Sequence, residues 1–364
     1  MLNTTDENER LTMASKKLKN KPEFSKMSAK EKKALVKKVY VKYPRSEEIL
    51  DRIDYVRVEA KDALDAENNL QVTGGLGAGK TRLITKYEKR FPRYELKKQT
   101  SAGPIKVTIV PVLSASIPAK ATDKTLLTEL LNRLGDPDPK AGNTTSQTHR
   151  LCELCEKCIV EIILLNECQH FIDTDSEKVL MKVANCLKDI LIKTKKPIIL
   201  FGMPNSARIL NENGQLNRRF TRRMSLDPLG WNADEGEWCE LKEFLKCLND
   251  ALPFDQSSNL SDHSVAYRFH IATGGVVEKI MKLVRTAACF AIEQGEEHIR
   301  MEDLSDAYYD QLADASPEQD NPFLEKPSVS HKRSQRASNN TEDTNKRVRA
   351  LVRKPKASEV LRRR

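Results

Sequence analysis

The stretch that decides the fold is GGLGAGKT, residues 74–81, which lies between a short apolar run and a helical pattern. It fits G-x-x-x-x-G-K-[ST], in which glycines let backbone N–H groups converge on phosphate oxygens, and the next helix adds the partial positive charge of its N-terminus. Lys80 suits the β- and γ-phosphates, and the Thr81 hydroxyl suits Mg²⁺. The sequence therefore predicts a site for ATP and Mg²⁺. The residues predicted to bind the nucleotide are Gly74, Gly75, Leu76, Gly77, Ala78, Gly79, Lys80, Thr81 and Arg82.

A second motif follows IVEIILL (159–165), which has the pattern of a buried parallel strand. Glu167 lies 87 positions (167 − 80) after the loop lysine and is predicted to polarise the attacking water, the alternative being a surface carboxylate at a strand end. Asn166 stands where an aspartate usually supports the metal, and an amide keeps an acceptor oxygen but lacks the charge. We therefore expect Thr81 and Asn166 to hold Mg²⁺ and ATP hydrolysis to be slow.

Strand and helix patterns alternate up to about residue 232, which indicates a parallel sheet flanked by helices. Continuous helical patterns from 237 indicate a second, smaller helical domain. Strands are predicted at 69–73, 106–114, 159–165, 197–203 and 222–229, and helices, among others, at 28–43, 44–64 and 122–135, the last beginning at Thr122 or Asp123 and ending at Gly135. The expected division is a partly helical basic extension at 1–43, an α/β domain at 44–232, a helical lid at 233–314 and a basic disordered tail at 315–364.

The charge of the chain is concentrated at its two ends. Residues 1–42 carry 12 Lys/Arg and 5 Asp/Glu, and residues 315–364 carry 13 and 6, so each end has a net charge of +7. Since the whole chain has +10, residues 43–314 have 10 − 14 = −4. Basic arms on an acidic body favour a polyanionic partner, with nucleic acid the first candidate. The alternative is solvated tails that improve solubility.

Composition also limits the compartment. No apolar run approaches the roughly 20 residues of a membrane span, and the N-terminal MLNTTDENER has no apolar signal core. We expect a cytoplasmic protein with reduced thiols. Cys152, Cys155 and Cys158 have a spacing compatible with zinc. On a helix, however, they would point around its surface, so buried apolar thiols are the preferred interpretation.

Four motifs occur in an order and spacing shared with one family: GGLGAGKT, LLNECQHFID (164–173), PIILFGMPNSARILNENGQLNRRF (197–220) and LDPL (226–229). On these motifs the chain resembles the TniB/TnsC group of AAA+ ATPases, which regulate transposition of DNA elements with CRISPR-linked and other targeting systems. The resemblance covers roughly residues 40–312. It implies an AAA+ domain followed by a helical lid, and a homo-oligomeric ring or filament with ATP between neighbouring subunits.

The resemblance also implies roles for single residues. Asn205 would be the polar sensor near the γ-phosphate, the alternative being a loop residue that caps the next helix. Arg218 or Arg219 would reach the neighbour's ATP, because a planar guanidinium neutralises phosphate charge in trans; the alternative is a surface salt bridge. Lys120 and Lys124 would contact DNA in the filament bore, the alternative being an exposed helix start.

The lid departs from the family pattern. AAA+ lids often carry Gly-x-x-Arg, but Val277 and Glu278 occupy the two possible arginine positions here, and only Lys279 is nearby. This departure, like Asn166, favours slow hydrolysis while leaving nucleotide-dependent assembly intact.

As a function, the resemblance implies a bacterial, nucleoid-associated ATPase that assembles on target duplex DNA. A target-selection protein of the TniQ type directs it there, it recruits the transposase subunits, and hydrolysis releases it. Two alternatives remain: a replication initiator or loader of the same superfamily, and a hydrolysis-deficient nucleotide-binding scaffold for protein partners.

Overall fold

A computed structural model describes residues 24–59, 69–100, 103–119, 121–172, 177–211, 213–232, 238–313 and 320–324. Its strands are β1 (Leu70–Gly74), β2 (Tyr94–Thr100), β3 (Gly103–Ile109), β4 (Val112–Ser116), β5 (Ile162–Asn166), β6 (Ile198–Gly202) and β7 (Arg222–Leu226). Five of them form one sheet in the order β4-β5-β6-β1-β7, and every pairing in that sheet is parallel. The predicted α/β architecture with a parallel sheet is therefore confirmed.

Helices cover both faces of this sheet and also form the C-terminal helical domain. They are α1 (Ala29–Lys38), α2 (Pro44–Glu59), α3 (Lys80–Arg90), α4 (Asp123–Leu134), α5 (Thr144–Lys157), α6 (Glu177–Thr194), α7 (Arg208–Asn211), α8 (Gly214–Arg219), α9 (Glu240–Ala251), α10 (His263–Thr273), α11 (Val277–Gln294) and α12 (Met301–Gln311). Thr122 is the N-cap of α4 and accepts a hydrogen bond from the backbone of Thr125, and Gly135 ends the helix with a φ of 85°. No helix in the described segments is both long enough and apolar enough to cross a membrane.

The core has two halves, one on each face of the sheet. Side chains alternate between them along each strand: in β5, Ile163 and Leu165 pack with α4, α5 and α6, whereas Ile162 and Leu164 belong to the half that includes α2, α3 and the C-terminal helices. Because β5 and β6 are buried on both faces, they read as continuous apolar runs in the sequence.

The prediction of one strand over 106–114 is wrong. The chain leaves β3 at Ile109, and β4 starts at Val112, with Pro111 between them. Proline has no N–H to donate to a ladder, so the strand pattern is interrupted there. β3 pairs instead with β2 in a separate antiparallel hairpin, which the sequence analysis did not predict.

The N-terminal helix packs on the C-terminal helical domain. Lys33 of α1 forms an ion pair with Glu293 of α11, and Arg285 of α11 donates from Nη2 to the carbonyl of Val39 at 2.8 Å. After β7, Leu229 N donates to Gly275 O at 2.8 Å, a close approach that suits a glycine with a φ of 74°. These contacts hold the helical domain over the loop that follows β1.

Candidate nucleotide-binding site

The predicted phosphate loop connects β1, which lies inside the sheet between β6 and β7, to α3. Gly77 and Gly79 have φ angles of 73° and 97°, a region in which other residues are strained. Lys80 lies over the loop, with Nζ donating to Gly74 O at 2.7 Å and to Gly75 O at 3.0 Å. Burial lowers the pKa of Lys80, while the negative charge of Glu167 acts to raise it. The loop thus forms a cradle with a cation at its centre, as a polyphosphate requires.

Asn166, the last residue of β5, contacts Thr81 at the end of the phosphate loop. Its side chain is 6% exposed, and Nδ2 donates to Thr81 Oγ1 at 3.2 Å and, more weakly, to Ser116 Oγ at 3.4 Å. Its Oδ1 is buried without a hydrogen-bond partner among the described residues. An unpaired buried acceptor beside a hydroxyl fits a hard cation with oxygen ligands. Thr81 and Asn166 therefore fit Mg²⁺, which would supply charge neutralisation at the phosphates.

Glu167 lines the same cleft and is held by a second side chain. It has a φ of 60° and precedes a short 3₁₀ helix at Cys168–Phe171. Gln169 Nε2 donates to the Glu167 carboxylate, and Gln169 Oε1 accepts from Met203 N at 3.2 Å. Gln169 therefore links the candidate base to the turn after β6. The sequence analysis assigned no role to Gln169, although it lies in the quoted motif.

The cleft extends from the loop towards the helical domain and has a volume of about 640 Å³. Its apolar end is lined by Val39, Val41, Tyr43, Phe244 and Met281. This end offers the mostly apolar surface on which a nucleobase packs. The polyphosphate cradle and the apolar end together match the two ends of a nucleotide.

The helical domain contributes charged groups that sequence reasoning missed. Glu278 N donates to Gly77 O at 3.1 Å, so the start of α11 rests on the phosphate loop. Lys282 and Arg285 follow one and two turns later and line the cleft, whereas Lys279 does not. Helical spacing from Glu278 was the signal that could have identified them.

Arg285 has spare hydrogen-bonding capacity at this wall. Its Nε is buried and has no partner among the described residues, although Nη2 is bonded to Val39. Burial, followed by the charge of Arg82, lowers the pKa of Arg285. Arg82 also lines the cleft, and two guanidinium groups in one cleft suit an anionic ligand.

Other predicted site residues lie on the surface. Asn205 is exposed in the 3₁₀ turn Pro204–Ala207 and does not line the cleft. Arg218 is exposed and Arg219 half-buried in α8. Lys124 is exposed in the first turn of α4, and Lys120 falls outside the described residues. One chain thus brings the loop, Asn166 and Glu167 together, but not these residues.

The cysteine cluster has the surroundings of core thiols. Cys155 and Cys158 are buried at the C-terminal part of α5, and Cys152 is half-buried. Burial raises the pKa of the Cys155 thiol to about 12. Metals bind the thiolate, so such burial disfavours these thiols as ligands.

The site and the sheet together define a class of protein. A phosphate loop after an interior strand, an amide–carboxylate motif at the end of another strand of the same sheet and a helical domain over the cleft are the features of a P-loop ATPase of the AAA+ type. Residues 32–227 match the family model described as bacterial TniB protein. The chain therefore belongs to the TniB family, which confirms the resemblance seen in its motifs.

Solved structures share this fold. The chain is similar to Cdc6p from Pyrobaculum aerophilum, with a TM-score of 0.54 and 15% identity over 77% of this chain and 71% of that one. It is also similar to the ORC2 protein of Aeropyrum pernix in ADPNP–ADP complexes, with a TM-score of 0.50 and 14% identity over 76% and 71%. At such identities the likeness concerns the fold alone. The comparison with curated proteins gives no match.

Proposed function

We propose that this protein is an ATP-dependent regulator of DNA transposition that oligomerises on target duplex DNA. One observation carries the proposal: a member of the TniB family has a cleft equipped to bind ATP but a neutral Asn166 where fast hydrolysis favours a charge. The domain 44–232 binds ATP, the lid 233–314 covers it, and the basic segments 1–43 and 315–364 contact DNA or protein partners.

Each residue of the cleft has a distinct task in this proposal. The backbone N–H groups of the loop and the Lys80 ammonium bind the β- and γ-phosphates. Thr81 and Asn166 hold Mg²⁺ through oxygen atoms. The Glu167 carboxylate orients a water for attack on the γ-phosphate and accepts its proton. Gln169 keeps that carboxylate in place through the hydrogen bond described above.

Completion of the site requires a neighbouring subunit. Neither Arg218 nor Arg219 has a side-chain partner among the described residues, so one of them is free to neutralise phosphate charge in trans. Mixing Lys80→Ala subunits with Arg218→Ala or Arg219→Ala subunits tests this. Partial recovery of ATPase activity in one mixture identifies the arginine, and no recovery in either contradicts a role in trans.

In the bacterial cytoplasm the assembly acts on nucleoid DNA, between a target-selection protein of the TniQ type and the transposase subunits of a targeted, including CRISPR-associated, element. DNA contact is mostly to phosphates and therefore sensitive to salt and tolerant of sequence. Lys120 and Lys124 and the two basic ends, each with +7, are the candidate contacts. Slow hydrolysis makes the ATP-bound state long-lived, and the protein is released from DNA when ATP has been hydrolysed.

Electron microscopy with duplex DNA, in ATP and then in ADP, tests the proposal. We expect rings or filaments on DNA with ATP and none with ADP. Absence of assemblies in both states contradicts the proposed function.

A second candidate is a nucleotide-binding scaffold that does not hydrolyse ATP. The loss of the metal-supporting charge at Asn166 favours it. Bound ATP without DNA-stimulated phosphate release would select this function, whereas stimulated release selects the transposition regulator.

A further inference from the structure

Helix α1 carries five lysines and one glutamate, a net charge of 5 − 1 = +4. The carboxylate of Glu31 accepts hydrogen bonds from the N and Oγ atoms of Ser28, so it serves as part of the helix cap. Lys33 forms an ion pair with Glu293 of α11, and the other four lysines have no ion pair within the part of the chain that the structure describes. The helix therefore presents positive charge that its own surroundings do not neutralise.

Three of these lysines share one exposed side of the helix. Lys30, Lys37 and Lys38 are exposed, and spacings of seven and eight residues place them together as a lysine face. Val36, on the other side, is fully buried in the core that α1 shares with α11. A groove of about 480 Å³ runs beside the lysine face and is lined by Ala29, Lys30, Lys33, Ala34 and Lys37. Because alanine side chains are short, an anionic group can approach the helix closely between the lysines.

The composition of this face indicates the kind of partner. Neither large apolar side chain of α1 is exposed, since Val36 is buried and Leu35 is half-buried. Protein interfaces depend on buried aromatic or aliphatic anchors, whereas the phosphate backbone of DNA requires only cations. Lys30 and Lys37 lie about 10 Å apart along the helix axis, a length over which one DNA strand presents about three phosphates. The lysine face therefore fits duplex DNA better than a protein surface.

The chain runs directly from α1 into the nucleotide cleft. After Lys38, four residues of the next five line the cleft: Val39, Tyr40, Val41 and Tyr43. Arg285 of the lid donates to the Val39 carbonyl at 2.8 Å, and Lys86 Nζ of α3 lies 4.0 Å from the centroid of the Tyr40 ring. One continuous segment, 29–43, thus carries the lysine face at one end and a wall of the nucleotide cleft at the other.

We propose that the lysine face binds the phosphate backbone of duplex DNA, and that DNA on this face and ATP in the cleft strengthen each other's binding. The inference rests on the proposed function and names the surface through which DNA acts on the nucleotide site. A helix of ten residues is marginal in water without tertiary contacts, so α1 depends on its docking to the lid. DNA on α1 and ATP against residues 39–43 favour the same docked arrangement, and such coupling is reciprocal.

Removal of the lysine face tests the DNA contact. In Lys30→Ala with Lys37→Ala and Lys38→Ala, the helix is preserved because alanine has the highest helix propensity. With ATP and Mg²⁺ present, we expect affinity for a labelled duplex of mixed sequence to fall at least about tenfold. The slope of log affinity against log salt should decrease by roughly two to three, since each phosphate contact contributes about 0.9. Fluorescence anisotropy in a salt titration measures both.

A matched control removes the same charge elsewhere. The exposed lysines of α6 are replaced by alanine, and this variant should bind the duplex like the wild type; they are Lys178, Lys182 and Lys193. Replacement of the lysine face by three arginines should also preserve binding, because contact with phosphates requires the charge.

The coupling is measured as the change in affinity for a fluorescent ATP analogue when duplex is added. We expect a rise of about fivefold or more in the wild type. In the alanine variant of the lysine face, affinity without DNA should equal that of the wild type, and the rise should be absent. The arginine variant should retain it.

The outcomes separate this inference from the proposed function. Wild-type protein that neither binds duplex nor assembles on it contradicts the proposed function. Wild-type protein that binds duplex, with an alanine variant of the lysine face that binds equally well or a control that loses as much, overturns the DNA contact alone. A wild-type ATP affinity that does not respond to duplex, or a rise that survives in the alanine variant, overturns the coupling.

Lysine acetylation of the wild-type protein provides a second test that needs no variant. Addition of duplex, with ATP present throughout, should reduce the labelling of the lysine face and leave the three control lysines of α6 unchanged, as measured by mass spectrometry. Equal labelling of the lysine face with and without bound duplex overturns the contact and makes an acidic protein the better occupant.

Discussion

The two walls of the nucleotide cleft differ in how much of their bonding is already formed. On the sheet wall, Lys80 bonds to two loop carbonyls and Asn166 bonds to Thr81. On the lid wall, Glu278 N rests on Gly77 O, while Arg285 keeps a buried Nε without a partner in the described part of the chain. The sheet wall is therefore preorganised for phosphates, and the lid wall has capacity left for the ligand.

This difference orders the expected effects of mutation. In the proposed function, groups of the sheet wall act on the phosphates, where charge is concentrated and where it changes during hydrolysis. In the proposed function, each group of the lid wall contributes single hydrogen bonds to the nucleotide, which replace hydrogen bonds to water of similar strength. Variants of the two walls therefore test whether binding and turnover depend mainly on the sheet wall.

Lys80→Ala should have the largest effect. Hydrogen bonds to charged groups contribute about 1.5–3 kcal/mol each, and Lys80 serves two phosphates, so we expect ATP affinity to fall at least about a hundredfold. Assembly and hydrolysis should be lost with it. Binding of a fluorescent ATP analogue measures the change, and Lys89→Ala, at the exposed end of the same helix, is the control. Unchanged ATP affinity in Lys80→Ala would contradict the expectation that the sheet wall contributes most to ATP binding.

The sheet wall could be predicted from the sequence because its signal is local. Nine consecutive residues, 74–82, give the loop, and the apolar run before Asn166 places that residue and Glu167 at a strand end. The lid wall could not be predicted in the same way. Its position depends on packing between Glu278 of α11 and Gly77 of the loop, 278 − 77 = 201 positions earlier. The sequence pattern therefore pointed to Lys279 and not to Lys282 or Arg285.

The hairpin failed to appear in the prediction for a different reason. An apolar run that spans Pro111 looks like one strand in the sequence, but a proline cannot continue the hydrogen-bonded ladder. Before Pro111, Ile105 is exposed in the hairpin and Ile109 is buried at its base, whereas the apolar residues after Pro111 belong to the buried sheet. Pattern alone does not distinguish an apolar residue that packs inside the sheet from one that is exposed.

Glu167→Gln sharpens the comparison within the sheet wall by separating turnover from binding. Removal of a positioned base costs about 10²–10⁴-fold in rate, so phosphate release should fall by that range while ATP affinity changes little. Assemblies on DNA should then persist. Glu153→Gln, a surface carboxylate on α5, is the control. A Glu167→Gln protein that still releases phosphate at the wild-type rate would show that the base lies elsewhere.

Asn166→Asp should have a smaller effect, in the opposite direction. A unit charge about 4 Å from another contributes roughly 4 kcal/mol at an effective dielectric of about 20, before desolvation is subtracted. We expect the Mg²⁺ concentration for half-maximal turnover to fall about tenfold, because a carboxylate adds a charge beside Thr81. A magnesium titration of phosphate release measures it, with Asn132→Asp at an exposed position of α4 as the control. If the titration curve does not move, Asn166 is not a metal residue.

Arg285→Ala should have the smallest effect and tests the lid wall directly. The loss of one partly buried hydrogen-bonding group costs about 1 kcal/mol, so KM for ATP should rise roughly fivefold. We expect kcat to be nearly unchanged, because the lost hydrogen bond stabilises the bound nucleotide and the transition state equally. Arg285→Lys, which keeps the charge without the planar fork, should fall between, and Lys279→Ala, outside the cleft, should behave as wild type. A loss in kcat as large as that of Glu167→Gln would break the comparison, because the lid wall would then act on the transition state rather than on the bound nucleotide.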